Sequence, residues 1–367
     1  SGLLNAGGRF SAAAGAPVLL NAIFIAAMLV ADWRGWDMGL TMAWATPLTG
    51  LAQLALVWVA AARMGFPVRL RRPRLTPELK RLLVIAGPAV LAGGVVQINL
   101  LVGRQVGSFF EGAIAWLSYA DRLYQLPLGV VGIAIGIVLL PDLSRRLKNG
   151  DVGGSRHALS RATEFALFLT LPAAVALVVI AVPLISVLFQ RGAFGPDDTG
   201  QTALALAVYG AGLPAFVLQK VLQPLYFARE DTATPFRFAV WSMIVNAALA
   251  VGLAPFLGFI AAALGTTLAG WAMVAQLWWG TRGMGDAARA DDRLRARLPR
   301  IVLSSAVMGV AIWGLARWLG ALLYAPGDRY WALALLVAGG LAVYVAASLV
   351  TGAFRLSDLR AGFARQR

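Results

Sequence analysis

Ten apolar segments, each long enough to be a membrane-crossing helix, lie at roughly 16–31, 41–62, 82–102, 116–140, 163–188, 201–227, 236–254, 258–279, 301–322 and 330–351. A bilayer core takes about 20 apolar residues at ~1.5 Å per residue, and a spanning backbone must satisfy its own polar groups as helices or as a closed barrel. Barrel strands would show ~10-residue alternation, and no such alternation is visible. Several segments carry helix-bending prolines: Pro88, Pro172, Pro183, Pro214 and Pro224. Composition agrees. Charged residues make up 13% of the 367, against about a quarter in a soluble domain, too few to coat a 38.7 kDa globule. The expected fold class is therefore all-α, a polytopic membrane protein of about ten helices.

Net charge is +15, and its placement decides what it means. When the links are assigned alternately to two sides, one side takes 25 of the 32 Lys and Arg residues: Arg9, the links 63–81, 145–161 and 282–300, Arg229, Arg237 and the tail from Arg355. The other side takes four, Arg34, Arg104, Arg191 and Arg329, and Arg122, Lys220 and Arg317 lie within spans. Such an asymmetry is the positive-inside pattern, so the basic side, with the C-terminus, is expected in the cytoplasm, facing anionic lipid headgroups. Nucleic acid is not an expected partner, because no aromatic-interleaved basic fold accompanies the charge. Tryptophans mark the boundaries, with Trp33, Trp36, Trp116, Trp318 and Trp331 at outer ends and Trp278 and Trp279 at an inner end.

Several chemistries are excluded. There is no cysteine and one histidine, His157, which removes thiolate and His-based metal sites and Cys nucleophiles. None of the three lysines, Lys80, Lys148 and Lys220, is followed by Ser or Thr, so the phosphate-cradling GxxxxGK loop is absent. Neither a catalytic triad, a carboxylate pair nor HExxH appears within the spans, and the links are too short for a catalytic domain. A channel or transporter remains, with no catalytic residue, cofactor or metal expected.

Ionisable groups in hydrocarbon cost about 2.5–3.5 kcal/mol each on insertion scales and default to function. Ser118, Arg122, Gln125, Gly129, Gly132 and Gly136 share one helical face, polar and then bare. Arg122 either lines a cavity or snorkels to the outer boundary, ~34 Å of helix from Arg145. Asp121 is one step round the helix, cannot bridge to Arg122 face to face, and needs another partner. Lys220, ~14 Å from Arg229 and between Pro214 and Pro224, either lines a cavity or joins an interhelical knot with Gln219, Gln223 and Tyr226. Asn21, Gln97, Asn99, Asn246 and Gln276 read as interhelical hydrogen-bonding groups, Arg317 as a snorkelling residue and Glu164 as an interfacial acid near the inner end. Cations without matching carboxylates point to an anionic cargo.

Four stretches carry a resemblance. Ser118–Gly129 (SYADRLYQLPLG) running into Val138–Arg145 (VLLPDLSR), Gly2–Asn21 (GLLNAGGRFSAAAGAPVLLN), Leu188–Thr199 (LFQRGAFGPDDT) and Leu218–Pro235 (LQKVLQPLYFAREDTATP) resemble, in order and through nearly the whole chain, the MurJ/MviN-type lipid II flippases. The resemblance implies the fold of the multidrug/oligosaccharidyl-lipid/polysaccharide exporter superfamily, MATE-like, with two six-helix lobes around a cavity plus a C-terminal helix pair. On this chain, 1–77 would be a two-helix remnant of the first lobe, 78–282 the second lobe and 283–367 the extra pair and tail. The family has fourteen spans, so the first lobe is expected to be incomplete by four helices, in keeping with a start at Ser1. The family's first-lobe arginines then have no counterpart.

The resemblance also implies that Arg122 is the cavity arginine of the second lobe, Asp121 its neighbouring acid and Lys220 the basic residue of the KVL motif, with Ser118 and Gln125 beside them. The pair 301–322 and 330–351 would form a groove for the polyprenyl tail. Some members bind sodium through acids on the helices matching 82–102 and 236–254. Gln97, Asn99 and Asn246 stand there without a carboxylate, so no sodium site is expected, leaving membrane potential or protons as the drive. Expected partners are lipid II, membrane lipids and cell-wall synthesis proteins, for a monomer in the bacterial cytoplasmic (inner) membrane. A flippase of another lipid-linked oligosaccharide and a non-transporting scaffold or truncated remnant are the alternatives.

Overall fold

The computed structural model describes residues 10–65 and 97–354, with the isolated positions 77, 80 and 94. Arg9, most of the link 63–81 and of the segment 82–102 with Pro88, the start of the Gly2–Asn21 motif and the tail from Arg355 lie outside the described residues. Those residues contain α-helices, short 3-10 turns and no strand. The helices are α1 (Phe10–Arg34), α2 (Met38–Arg63), α3 (Ala113–Lys148), α4 (Val152–Val179), α5 (Ala181–Phe189), α6 (Pro196–Phe227), α7 (Ala233–Leu257), α8 (Ile260–Gly280), α9 (Asp292–Leu319) and α10 (Arg329–Thr351). Residues 97–107 are also helical. Eight helical segments among the described residues are long and apolar enough to cross a membrane. This is the all-α, multi-span class expected.

Sequence explains where the helices start and stop. Asp37, Asp151 and Asp291 cap α2, α4 and α9 by accepting the N–H of Leu40, Gly154 and Leu294, donors that a first helical turn leaves unpaired. Pro196 opens α6 with Asp197 and Asp198 in the first turn, where Pro is tolerated and carboxylates meet the positive end of the helix dipole. Several helices run past the apolar segments into the basic links. Hydropathy marks the bilayer edge, whereas caps and ion pairs carry the helix beyond it. The segment 163–188, read as one span, breaks at Ile180, between α4 and α5. Pro183 has no N–H to give Val179, four residues earlier, and its ring clashes with that carbonyl.

The chain divides into two compact units, residues 1–83 and 84–367. In the first, α1 and α2 pack as a hairpin, tied by Gln53 donating to the Ala16 carbonyl at 2.9 Å. In the second, α6 is the hub, packed against α3, α4 and α8 with Leu206, Leu213, Val217, Val221 and Leu225 fully buried. Small residues let these helices approach, as in membrane bundles generally: Gly210 meets Leu177, and Gly270 meets Phe216. The C-terminal pair packs through α9 on α4 and α10 on α5, over its own apolar cluster of Ile180, Val187, Met308, Ile312, Leu336 and Tyr344. The Tyr344 hydroxyl donates to the Phe168 carbonyl at 2.6 Å.

Arginines stack on aromatic rings near helix ends: Arg34 lies over Trp33, Arg317 over Trp313, Arg329 over Tyr330 and Arg282 over Trp279. Arg317 thus ends on an aromatic face at the helix end. Trp116, in the first turn of α3, donates its indole N–H to Asp198 at 2.7 Å and packs its ring edge-on to Phe259, so it staples α3 to the start of α6.

Candidate functional site

One side of α3, Ala113, Leu117, Ala120, Tyr124 and Val131, is buried in the second unit. The Tyr124 ring sits 5.6 Å from those of Tyr209 and Phe216, fixing α3 in rotation against α6. That leaves Ser118, Arg122 and Gln125 exposed along the adjoining face. The Ser118 hydroxyl is spent on the Ile114 carbonyl at 2.6 Å. Asp121 finds its partner one turn along its own helix, in the Gln125 side-chain N–H, and it lies within electrostatic range of Arg104 as well as Arg122.

Further down that face, Lys220 of α6 crosses α3 at Gly132. A β-carbon added to Gly132 would stand 2.6 Å from Lys220 Cδ and 2.8 Å from Cε, so the lysine stem lies over the hydrogen of a glycine. The polar and glycine parts of the α3 face therefore share a surface with Lys220, and Arg122 stands ~15 Å along the helix from Gly132. Among the described residues neither Arg122 nor Lys220 makes an ion pair. Of the residues named in the alternative reading of Lys220 as part of an interhelical knot, Gln219 donates to the Gly270 carbonyl at 3.0 Å and Tyr226 to the Leu277 carbonyl at 2.7 Å, neither through Lys220. Both reach α8, on another side of α6, and the Lys220 ammonium is left exposed. What this surface offers chemically is two fixed cations, one planar and one compact, with the neighbouring carboxylate already engaged.

Asn246 donates to Asn99 at 2.8 Å, the interhelical bond expected of them, and its own Oδ1 is buried without a partner among the described residues. No group of three or more His, Cys, Asp or Glu residues able to hold a metal occurs among the described residues.

The residue that sequence reasoning placed least well is Glu164. It is 8% exposed and accepts from Arg161 of its own helix and from Arg293 and Arg297 of α9, the last at 2.5 Å. Arg161 also grips the α9 cap residue Asp291 through both carboxylate oxygens, at 2.6 and 2.8 Å, and His157 lies 3.8 Å from the same carboxylate. The signal was present in the sequence, as two arginines four residues apart at the head of an apolar segment, but their partner is 129 residues or more away.

A family model described as "Lipid II flippase MurJ" matches residues 1–327. The chain is similar to a protein of Rhizobium meliloti described as "Probable lipid II flippase MurJ", at 44% identity over 366 residues, 98% of this chain and 68% of that one. A Rhizobium tropici protein of the same description is 43% identical over 377 residues, 100% of this chain and 70% of that one. The solved structure described as "Lipid II flippase MurJ, inward closed conformation" matches with a TM-score of 0.73 at 25% identity, covering 95% of this chain and 69% of that one.

Proposed function

The chain belongs to the lipid II flippase MurJ family, and from that premise we propose that it carries lipid II, the undecaprenyl-pyrophosphate-linked peptidoglycan precursor, from the inner to the outer leaflet of the bacterial cytoplasmic membrane by alternating access. The observation that carries the proposal to particular residues is the surface shared by α3 and α6. Lys220 lies over Gly132 on the face that bears Arg122, and both cations lack a carboxylate partner among the described residues. A cation kept unpaired within a span costs free energy, and an anionic headgroup passing that surface offsets the cost. Arg122 suits a pyrophosphate because the guanidinium fork makes paired, charge-assisted hydrogen bonds. Lys220 adds a point charge on a flexible stem. Gln125 holds Asp121, which leaves Arg122 for the ligand, and Ser118 sits one turn away. The lipid tail stays in hydrocarbon against the C-terminal pair. Prolines inside α3 and α6, Pro127, Pro141, Pro214 and Pro224, give those helices places to bend as access alternates. The basic links and the C-terminus face the cytoplasm, and the protein acts as a monomer alongside cell-wall synthesis proteins.

The test is replacement of Arg122 by Ala and by Lys, and of Lys220 by Ala, in the full-length protein, scored by rescue of a strain depleted of its own flippase. The expected result is failure with Arg122→Ala, partial rescue with Arg122→Lys and a severe defect with Lys220→Ala, each at normal protein level. Full growth with Arg122→Ala would remove that side chain from the transport path.

A further inference from the structure

At the basic end of the second unit lies a cavity of about 540 Å³, within the ~300–1,000 Å³ range of ligand sites. Its floor is apolar, formed by Leu167 of α4, Leu218 and Leu222 of α6 and Val274 of α8. Its rim is cationic: between α8 and α9, Arg282 comes from the 3-10 turn Thr281–Met284 and Arg289 directly follows the 3-10 turn Asp286–Ala288, and Arg295 comes from the first turns of α9. Among the described residues no carboxylate lines it, and none of the lining belongs to α10.

The rim is poised for an anion. Arg282 stacks on Trp279 at 3.9 Å, which covers one face of the guanidinium and leaves its N–H edges available. Arg289 meets Asp286 at 2.7 Å in an exposed pair, of a kind that contributes little and exchanges readily. For Arg295 no ion pair is found among the described residues. The wall itself is fastened, with Arg156 donating to the Ala290 carbonyl at 2.9 Å and Asp291 held by Arg161. At the cavity edge Trp278 is 51% exposed and Leu298 37% exposed, so the apolar floor runs out to an exposed apolar edge.

We propose that this cavity binds an anionic phospholipid of the leaflet on the basic side, its phosphate on Arg282, Arg289 and Arg295 and one acyl chain over the leucine floor. A free phosphate would satisfy the rim but gain nothing from the floor, and a zwitterionic lipid would satisfy the floor but bring no net charge to the rim. Basic pockets between helices on the cytoplasmic face are where anionic headgroups are recognised. The inference rests on the cavity and not on transport, so it stands or falls independently of the function proposed above.

The experiment uses the purified full chain in nanodiscs of phosphatidylethanolamine doped with phosphatidylglycerol carrying a photoactivatable acyl chain, and maps the crosslinks by mass spectrometry. Crosslinks are expected on peptides containing Leu218, Leu222 and Leu298. They should fall at least about tenfold in the Arg282→Gln/Arg289→Gln/Arg295→Gln variant, and by a similar factor with a phosphatidylcholine probe of the same chain. Because all three side chains are exposed, folding should survive, and Arg295→Glu alone gives a second reading in the same direction. Equal labelling by the zwitterionic probe, undiminished labelling of both variants, or displacement of the probe by inorganic phosphate would each overturn the proposal, the last by assigning the cavity to a soluble anion.

Discussion

A single methyl group distinguishes two roles for Gly132. Gly132→Ala would place carbon 2.6 Å from Lys220 Cδ, but the obstructing atoms belong to the flexible end of a lysine, which can swing aside. The substitution also relieves a helix-interior glycine, worth about 1 kcal/mol in propensity. The thermal midpoint is therefore expected to hold or rise slightly while rescue of a depleted strain drops severalfold, and Gly132→Leu should abolish rescue. Wild-type growth with both would mean that the position of Lys220 on α3 has no bearing on transport. The helical face that includes Arg122 and Gly132 is legible in the sequence, since both lie on one 3.6-residue period. That the bare part of the face receives a lysine from a helix some ninety residues later is not, because period specifies a face and never its partner.

At the scale of elements, the α4–α9 contact makes the strongest claim. Glu164 is shared by Arg161, Arg293 and Arg297 at the head of α9, and Arg297 is only 6% exposed. Removing one side of a buried ionic cluster strands the other and costs about 3–5 kcal/mol. Glu164→Ala is expected to lower stability by roughly 3 kcal/mol and to raise hydrogen exchange at the start of α9, with α7 and α8 unaffected. Uniform exchange across the second unit would show that the cluster does not act locally. Hydropathy made most of these helices visible in the sequence, with α4 and α5 read as a single segment, although Pro183 stands close to the break at Ile180. The cluster escaped because an acid near the end of an apolar segment has the same one-dimensional appearance whether it faces headgroups or a distant arginine pair.

For the whole molecule, orientation is the property most open to direct measurement, and the chain's composition makes the measurement clean. These 367 residues contain no cysteine, so a cysteine introduced among them is the sole thiol of this chain. Asn149, exposed between α3 and α4, and Asp328, exposed just before α10, lie on opposite sides if α4 with α5, α6, α7, α8 and α9 each cross once. The charge count puts Asn149 with the 25 basic residues and Asp328 with the four. In intact cells stripped of their outer barrier, a membrane-impermeant maleimide should label Asp328→Cys at once and Asn149→Cys only after the membrane is permeabilised. Labelling of both from outside, or the reverse order, would invert or break the assignment. It would also move the arginine-rimmed cavity to the wrong leaflet and point Arg122, near the sparsely charged end of α3, toward the side from which the headgroup is taken up. Transport direction is thus coupled to topology through the position of one arginine along one helix.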